Sequence, residues 1–512
     1  MQIGQSVASS LKWMMSARLT GQLITWVITI IVIRILTPQD YGLLAMASII
    51  LGILAVFEEI GLGSAIVQRK NLDADLVAQV FGLLIVLDSC LYGLLWLIAP
   101  WVGEFFNEPA LPEIVRVMGL QICINAFTVI PDSMLSRAMN FRGKSVALFV
   151  SMLTGSFLTL VLAWQGLGVW ALVFGNLGAN TVRALVLQFF ARAWYWPSFS
   201  FGGAKQAIHF GGFVTLDRLL WYFYSQSDMV IIGNLLGRQL LGFYSVGMHL
   251  ASLPMQKIAG TMNEIGFSAF SKLQDDRALF QANLLKSVRL ISIVAFPVFL
   301  GISSVAPEIV KIFLGPKWIG AILPIQTLSL VIPLRLLNTV VPTSLYAIGR
   351  ADLSVTNSLI ASTLLPLSFL VGVQWELPGV CIAWVIAYPL YFAIVQYRIL
   401  PIFGVDISCY VRTVAPFVLI SCSMYGLIWL TRAVLERFAL PAPVVLFVLV
   451  SVGTAVYYSL ITTFQGNTWN DLVRMFFSPA LTSRITAWTP FGLSKLLLPA
   501  PIRRWLRERY RL

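Results

Sequence analysis

The chain has 512 residues, 58% of them apolar and only 11% charged, with a net charge of +13. Soluble globular proteins carry about a quarter of their residues charged, so this composition excludes one and calls for lipid as the solvent. The positive surplus is spread over short connections instead of gathered in one patch, which argues against nucleic acid as a partner.

A hydrocarbon crossing takes about 20 mostly apolar residues. In chain order, about fourteen such stretches occur, at 10–36, 41–67, 76–103, 112–136, 145–165, 168–190, 208–235, 240–268, 285–314, 320–347, 354–374, 378–399, 411–432 and 441–464. Each exceeds strand length and lacks sustained alternation, so helices are expected and not a barrel. The first stretch carries Arg18 and Gln22 and has no small-residue cleavage site, so it is expected to stay as the first helix.

With the N-terminus placed inside, the intracellular connections receive Arg69, Lys70, Arg137, Arg142, Lys144, Arg192, Lys205, Lys272, Arg277, Arg350, Arg398, Arg412 and a basic C-terminal tail. The other side receives only Arg34, Arg116, Arg238, Lys311, Lys317, Arg432 and Arg437, beside the acidic Glu104, Glu108 and Glu113. This bias is the positive-inside pattern of a multi-pass protein of the cytoplasmic membrane with both termini inside.

An imperfect repeat spaced by 200 residues runs through this array. Arg18, Leu19, Gln39 and Gly42 recur as Arg218, Leu219, Gln239 and Gly242. Between the anchors lie two short turns, Arg34-Ile-Leu-Thr-Pro-Gln-Asp-Tyr-Gly42 and Asn234-Leu-Leu-Gly-Arg-Gln-Leu-Leu-Gly242. Six helices before the second copy make the repeat parallel, with its axis along the membrane normal, an organisation typical of transporters. The expected fold is therefore all-α and integral to the membrane: two parallel six-helix bundles around a central cavity, at 1–200 and 201–405. A further helix pair follows at 406–465, and then a basic amphipathic cytoplasmic tail at 466–512 that lies on the inner leaflet. The aromatic, turn-rich segment 193–203 is the expected connector.

Polar residues within spanning helices are costly and face partners or water. Arg18, Gln22, Thr25 and Thr29 form one stripe on the first helix, echoed by Arg218, Tyr222 and Ser225; Asn176, Asn180 and Arg183 share one side of the sixth. These stripes are expected to line a polar vestibule for substrate, with Arg18 and Arg218 suited to an anionic cargo such as phosphate. The competing expectation is that both arginines snorkel to headgroups. Glu59, Asp88, Asp217 and Asp228 are the candidates for coupling to a cation, against a purely structural pairing of the kind open to Asp217 with Arg218, or Asp132 with Arg137. The cysteines, Cys90, Cys123, Cys381, Cys409 and Cys422, are scattered, and His209 and His249 lie far apart, so no disulfide framework, metal centre or cofactor site is expected. No phosphate-binding loop and no long external segment for a catalytic domain occur, so a carrier is expected rather than an enzyme.

Several segments resemble a known family. Ile33-Arg-Ile-Leu-Thr-Pro-Gln-Asp-Tyr-Gly-Leu-Leu-Ala45, Pro131-Asp-Ser-Met-Leu-Ser-Arg-Ala-Met-Asn-Phe-Arg142, Gly166-Leu-Gly-Val-Trp-Ala-Leu-Val173, Asp228-Met-Val-Ile-Ile-Gly233 and Phe267-Ser-Ala-Phe-Ser-Lys-Leu-Gln-Asp-Asp276 are similar to the polysaccharide transporter family. These are the O-antigen and exopolysaccharide flippases of the multidrug/oligosaccharidyl-lipid/polysaccharide superfamily, and the likeness is closest to colanic-acid and xanthan-type exporters. The resemblance implies a V-shaped cavity between two bundles. It implies as substrate an undecaprenyl-diphosphate-linked oligosaccharide, flipped from the cytoplasmic to the periplasmic leaflet, with Arg18 and Arg218 at its diphosphate. A polymerase and a chain-length regulator would be pathway partners. The rivals are a cation-coupled multidrug exporter and, from another class, a membrane glycan polymerase or glycosyltransferase.

Overall fold

The computed structural model describes residues 21–58, 66, 73–192, 194–199, 205–272, 276–466, 468 and 469, without the side chains of 205–218, 256–272 and 351. All regular structure among these residues is helical. In chain order the helices are α1 (Gly21–Ile35), α2 (Pro38–Glu58), α3 (Ala74–Phe105), α4 (Leu111–Arg137), α5 (Phe141–Trp164) and α6 (Val169–Ala191). The run Lys205–Lys272 is broken at Gly237, where φ is 82° and ψ 176°, and its two arms are α7 (205–236) and α8 (238–272). Then come α9 (Arg277–Ile309), a π-helical turn Val310–Leu314, a 3-10 turn Pro316–Ala321, α10 (Ile322–Asn338), α11 (Val340–Ala347), α12 (Ala351–Gly372), α13 (Glu376–Phe403), α14 (Ile407–Leu435) and α15 (Ala442–Phe464).

Eleven described runs are long and apolar enough to cross a membrane. Breaks occur within Leu219–Met255 at Gly237, within Pro316–Ala347 at Thr339, and within Asp352–Phe403 at the 3-10 turn Val373–Trp375. The chain is thus a multi-pass helical membrane protein. Its helix starts follow from local polar chemistry: Asn140 accepts from the Gly143 N–H at 3.0 Å before α5, and Asp276 from the Leu279 N–H at 3.0 Å before α9. Each fills one amide left open in a first turn.

The described residues fall into two compact units, Met1–Val246 with Phe313–Ala321 and Ser358–Val380, and Gly247–Ile312 with Ile322–Asn357 and Cys381–Leu512. In the first, α5 and α6 cross on small residues: a β-carbon on Gly155 would meet Ala179 Cβ at 2.6 Å, and one on Gly175 would meet Thr159 Oγ1 at 1.8 Å. Lipid tails are as apolar as leucine, so close van der Waals fit of this kind holds membrane helices together where water exclusion does not. The described part of the expected connector, 194–199, is non-helical and is tied to α3 by the Ser198 N–H on the Ala78 carbonyl at 2.9 Å.

In the second unit α9 is central and well buried, whereas α15 is peripheral and mostly exposed. Arg432 of α14 reaches Glu308 of α9 at 2.6 Å and also donates to the Ser304 carbonyl. Both side chains of this pair are about nine-tenths buried. Farther along, the Tyr457 hydroxyl of α15 donates to the Ile293 carbonyl at 2.6 Å, so both appended helices are bonded to α9.

Candidate functional site

The two copies of the repeated turn are built differently. In the first, Pro38 opens α2, where its missing N–H and fixed φ cost nothing. Thr37 and Asp40 cap the same end reciprocally: the Thr37 N–H and hydroxyl donate to Asp40 Oδ2 at 2.9 and 2.7 Å, and the Asp40 N–H points back at Thr37 Oγ1 at 3.4 Å. In the second copy Gly237 stands where Thr37 stood and Leu240 where Asp40 stood, so no side chain can cap. The chain turns instead through a backbone conformation open essentially to glycine alone.

The copies pack against each other. A β-carbon on Gly42 would stand 1.8 Å from the Arg238 carbonyl oxygen, and one on Gly242 would stand 1.8 Å from the Pro38 carbonyl oxygen. Between these two contacts Gln39 Nε2 donates to Gln239 Oε1 at 3.2 Å, a pair separated by 200 residues. Position 38 meets 242, 39 meets 239 and 42 meets 238, which is the reciprocity of a two-fold interface, with the glutamine pair on its axis. Deeper along the same helices, the Tyr222 hydroxyl of α7 donates to the Ile49 carbonyl of α2 at 2.8 Å and its ring lies over Gly52.

The clasp is braced on both sides. Arg238 Nη1 lies 3.2 Å from Glu108 Oε2, and Asn234 donates to the Phe105 carbonyl. On the other side Trp318, fully buried, donates its indole N–H to the Ile33 carbonyl at 2.8 Å, Lys317 Nζ donates to the Ile35 carbonyl at 3.3 Å, and Arg34 Nε to the Phe313 carbonyl at 2.8 Å. Carbonyls 33 and 35 belong to the end of α1, where no intrahelical partner exists, so the turn at 313–321 completes that helix end. Tyr41 and Phe243, one from each side of the clasp, meet the Trp318 ring edge-on at 5.4 and 6.2 Å.

The site residues expected from sequence fall out as follows. Arg18 and Glu59 lie outside the described residues, as do the side chains of Arg218 and Asp217. Gln22 and Thr25 are half-buried on α1, and Thr25 Oγ1 accepts from Ser156 of α5 at 3.5 Å. Tyr222 is in the clasp, while the Ser225 hydroxyl turns back to the Tyr222 carbonyl at 3.0 Å. Asn176, Asn180 and Arg183 share one side of α6; Asn180 donates to Asn176 at 2.9 Å, and Arg183 is exposed. Asp228 is fully buried and accepts from the Tyr244 hydroxyl and, at 2.8 Å, from the Met229 N–H. Asp88, also buried, has no hydrogen-bond partner for either carboxyl oxygen among the described residues, a costly arrangement in apolar surroundings.

One expected pairing is corrected. Asp132 is joined by Lys144 of α5 at 2.8 Å, not by Arg137, which donates to the Ile66 carbonyl at 3.1 Å. Positions five apart on a helix point away from one another, whereas those three or four apart meet. Sequence reasoning also missed Trp318, Glu108 and the Glu308–Arg432 pair; the acidic cluster around Glu108 beside lone Arg238 on the same side was the signal available for one of them.

The family model described as polysaccharide biosynthesis protein matches residues 31–323, which include both turns of the clasp. Among curated proteins, the chain is 24% identical to the lipopolysaccharide biosynthesis protein WzxC of Escherichia coli (strain K12), over 73% of this chain and 76% of that protein. It is 23% identical to the teichuronic acid biosynthesis protein TuaB of Bacillus subtilis (strain 168), over 81% of this chain and 87% of that one. Among solved structures, the lipid II flippase MurJ in an inward closed conformation superposes with a TM-score of 0.71 at 13% identity, covering 88% of this chain and 98% of MurJ. An inward-facing multidrug resistance MATE transporter of the MOP superfamily gives 0.57 at 16% identity, covering 75% and 95%. These likenesses show the fold.

Proposed function

The chain belongs to the polysaccharide biosynthesis protein family, and from that premise we propose that it is a flippase for undecaprenyl-diphosphate-linked oligosaccharide repeat units. It moves them from the cytoplasmic to the periplasmic leaflet of a bacterial inner membrane, for exopolysaccharide or lipopolysaccharide assembly, and performs no bond chemistry. The observation that carries this reading is the reciprocal clasp: two parallel copies of one motif touching about a local two-fold, at the end that the charge bias assigns to the outside. A seam with this symmetry closes or opens by similar motions of two similar parts, which is the requirement of alternating access.

The chemistry of the cargo fits such a seam. A sugar headgroup cannot cross hydrocarbon because each hydroxyl would lose its water without replacement. Gln22, Thr25, Tyr222, Ser225, Asn176, Asn180 and Arg183 are the proposed sources of replacement hydrogen bonds, and Arg18 and Arg218 the proposed holders of the diphosphate. Asp88, buried without a partner among the described residues, is the first candidate for coupling to a cation, ahead of Asp228, which the Tyr244 hydroxyl already engages. The proposed topology has fourteen crossings in two six-helix halves with an appended pair, a basic tail on the inner leaflet and both termini inside. The likeness to the curated relatives supports this cargo, and the polymerase and chain-length regulator of the pathway are its proposed partners.

Deleting the gene should leave lipid-linked repeat units complete but confined to the cytoplasmic leaflet. Unpolymerised units on the outer leaflet would point to a polymerase, and normal polymer would remove the reading altogether.

A further inference from the structure

A cationic site lies in the unit that contains α9, α14 and α15. There a cavity of about 500 Å³ is lined by Arg289 of α9, by Asp406, Ser408, Cys409, Arg412, Thr413 and Pro416 at the start of α14, and by Gln465 at the end of α15. Both guanidiniums are exposed, and neither is ion-paired among the described residues. The carboxylate present, Asp406, is occupied by the Ser408 hydroxyl. Lys286, exposed one turn before Arg289, adds a third positive charge on that face. Ile407, Val411 and Leu419 of the same α14 are exposed and apolar, so the cavity adjoins a surface fit for acyl chains.

We propose that this cavity binds the phosphate group of an anion at the cytoplasmic surface, carried by an anionic phospholipid headgroup whose chains lie along Ile407, Val411 and Leu419. Two guanidinium forks facing one cavity match phosphate oxygens, which accept bidentate hydrogen bonds, and the Ser408 and Thr413 hydroxyls lie in the same lining. A fixed partner is favoured over a diffuse lipid annulus because the arginines come from two helices and line one cavity. The charge bias puts Arg412 on the inner side of the membrane, the side where anionic lipid meets basic side chains. Bound there, a lipid bridges α9 to α14 at the end opposite the Glu308–Arg432 pair and sets how firmly the appended helices are held.

The test uses the purified full-length protein in a neutral detergent, titrated with phosphatidylglycerol, phosphatidylcholine or inorganic phosphate, with bound species counted by native mass spectrometry and the melting temperature followed. Phosphatidylglycerol should bind and raise the melting temperature where phosphatidylcholine does not, and Arg289→Ala and Arg412→Ala should each weaken it about tenfold or more. Arg412→Lys should keep part of the affinity, and Arg437→Ala, a cation outside the cavity, all of it. Binding of inorganic phosphate with the same dependence on both arginines would support the site and assign its ligand to the free ion. Equal binding of phosphatidylglycerol to wild type and to both alanine variants, with those variants folded by their melting curves, would overturn the proposal.

Discussion

The first turn of the clasp is held by side chains and the second by backbone alone. Thr37 and Asp40 exchange three hydrogen bonds ahead of α2, while Gly237 reaches the same place by a conformation that other residues resist. Yet at Gly42 and Gly242 the two copies converge on the same solution, a missing β-carbon that lets one backbone lie on the other. What has drifted is how each turn is made; what has been kept is how the turns meet. The contact is thus the shared element, and each turn is a separate means of presenting it.

This contrast can be broken most severely at the glycines. Gly42→Val or Gly242→Val would thrust a branched side chain into a carbonyl oxygen, and backbone offers no rotamer by which to yield. Each is expected to cut polymer export by about tenfold or more, corresponding to about 1.4 kcal/mol or more against the closed state. The two effects should be alike because the contacts are reciprocal, and thiol cross-linking between Gln39→Cys and Gln239→Cys should fall in parallel. Full export with the cross-linking lost would show that the clasp is not part of the cycle.

The turns themselves should differ in the next tier. Gly237→Ala is expected to destabilise by about 1–3 kcal/mol through its backbone conformation. Thr37→Ala should cost about 1 kcal/mol for the lost cap, and Thr37→Gly only a few tenths of that, since glycine is tolerated at such positions. Denaturation of the purified protein in detergent measures both, and equal costs for Gly237→Ala and Thr37→Ala would erase the distinction between the two copies. A double-mutant cycle of Gln39→Ala with Gln239→Ala should return a coupling of about 0.5–1.5 kcal/mol for the bond on the axis. The smallest effect belongs to Arg238→Ala: its pair with Glu108 leaves the arginine 44% exposed, so about 0–1 kcal/mol is expected, shrinking with added salt.

Much of the architecture was written in local pattern. Apolar runs of crossing length and the 200-residue spacing of Gln39 and Gly42 depend on residues close together or on recurrence, which a single chain displays. That the recurring residues touch was not legible, because spacing reports duplication and says nothing of distance. The same limit hid Trp318, which completes a helix end 285 residues earlier. It also misdirected Asp132, whose partner Lys144 comes from the next helix. Periodicity names a face without naming its neighbour: on α1, Thr25 of the expected polar stripe meets Ser156 of α5.

The Glu308–Arg432 pair constrains how the topology of this protein can be mapped. Reporter fusions that truncate the chain anywhere between α9 and residue 432 strand Glu308 without its cation inside the second unit, a loss of about 3–5 kcal/mol. Such truncations would register degradation where orientation was sought. Reporters inserted into the intact chain, with residues on both sides of the insertion retained, avoid that artefact.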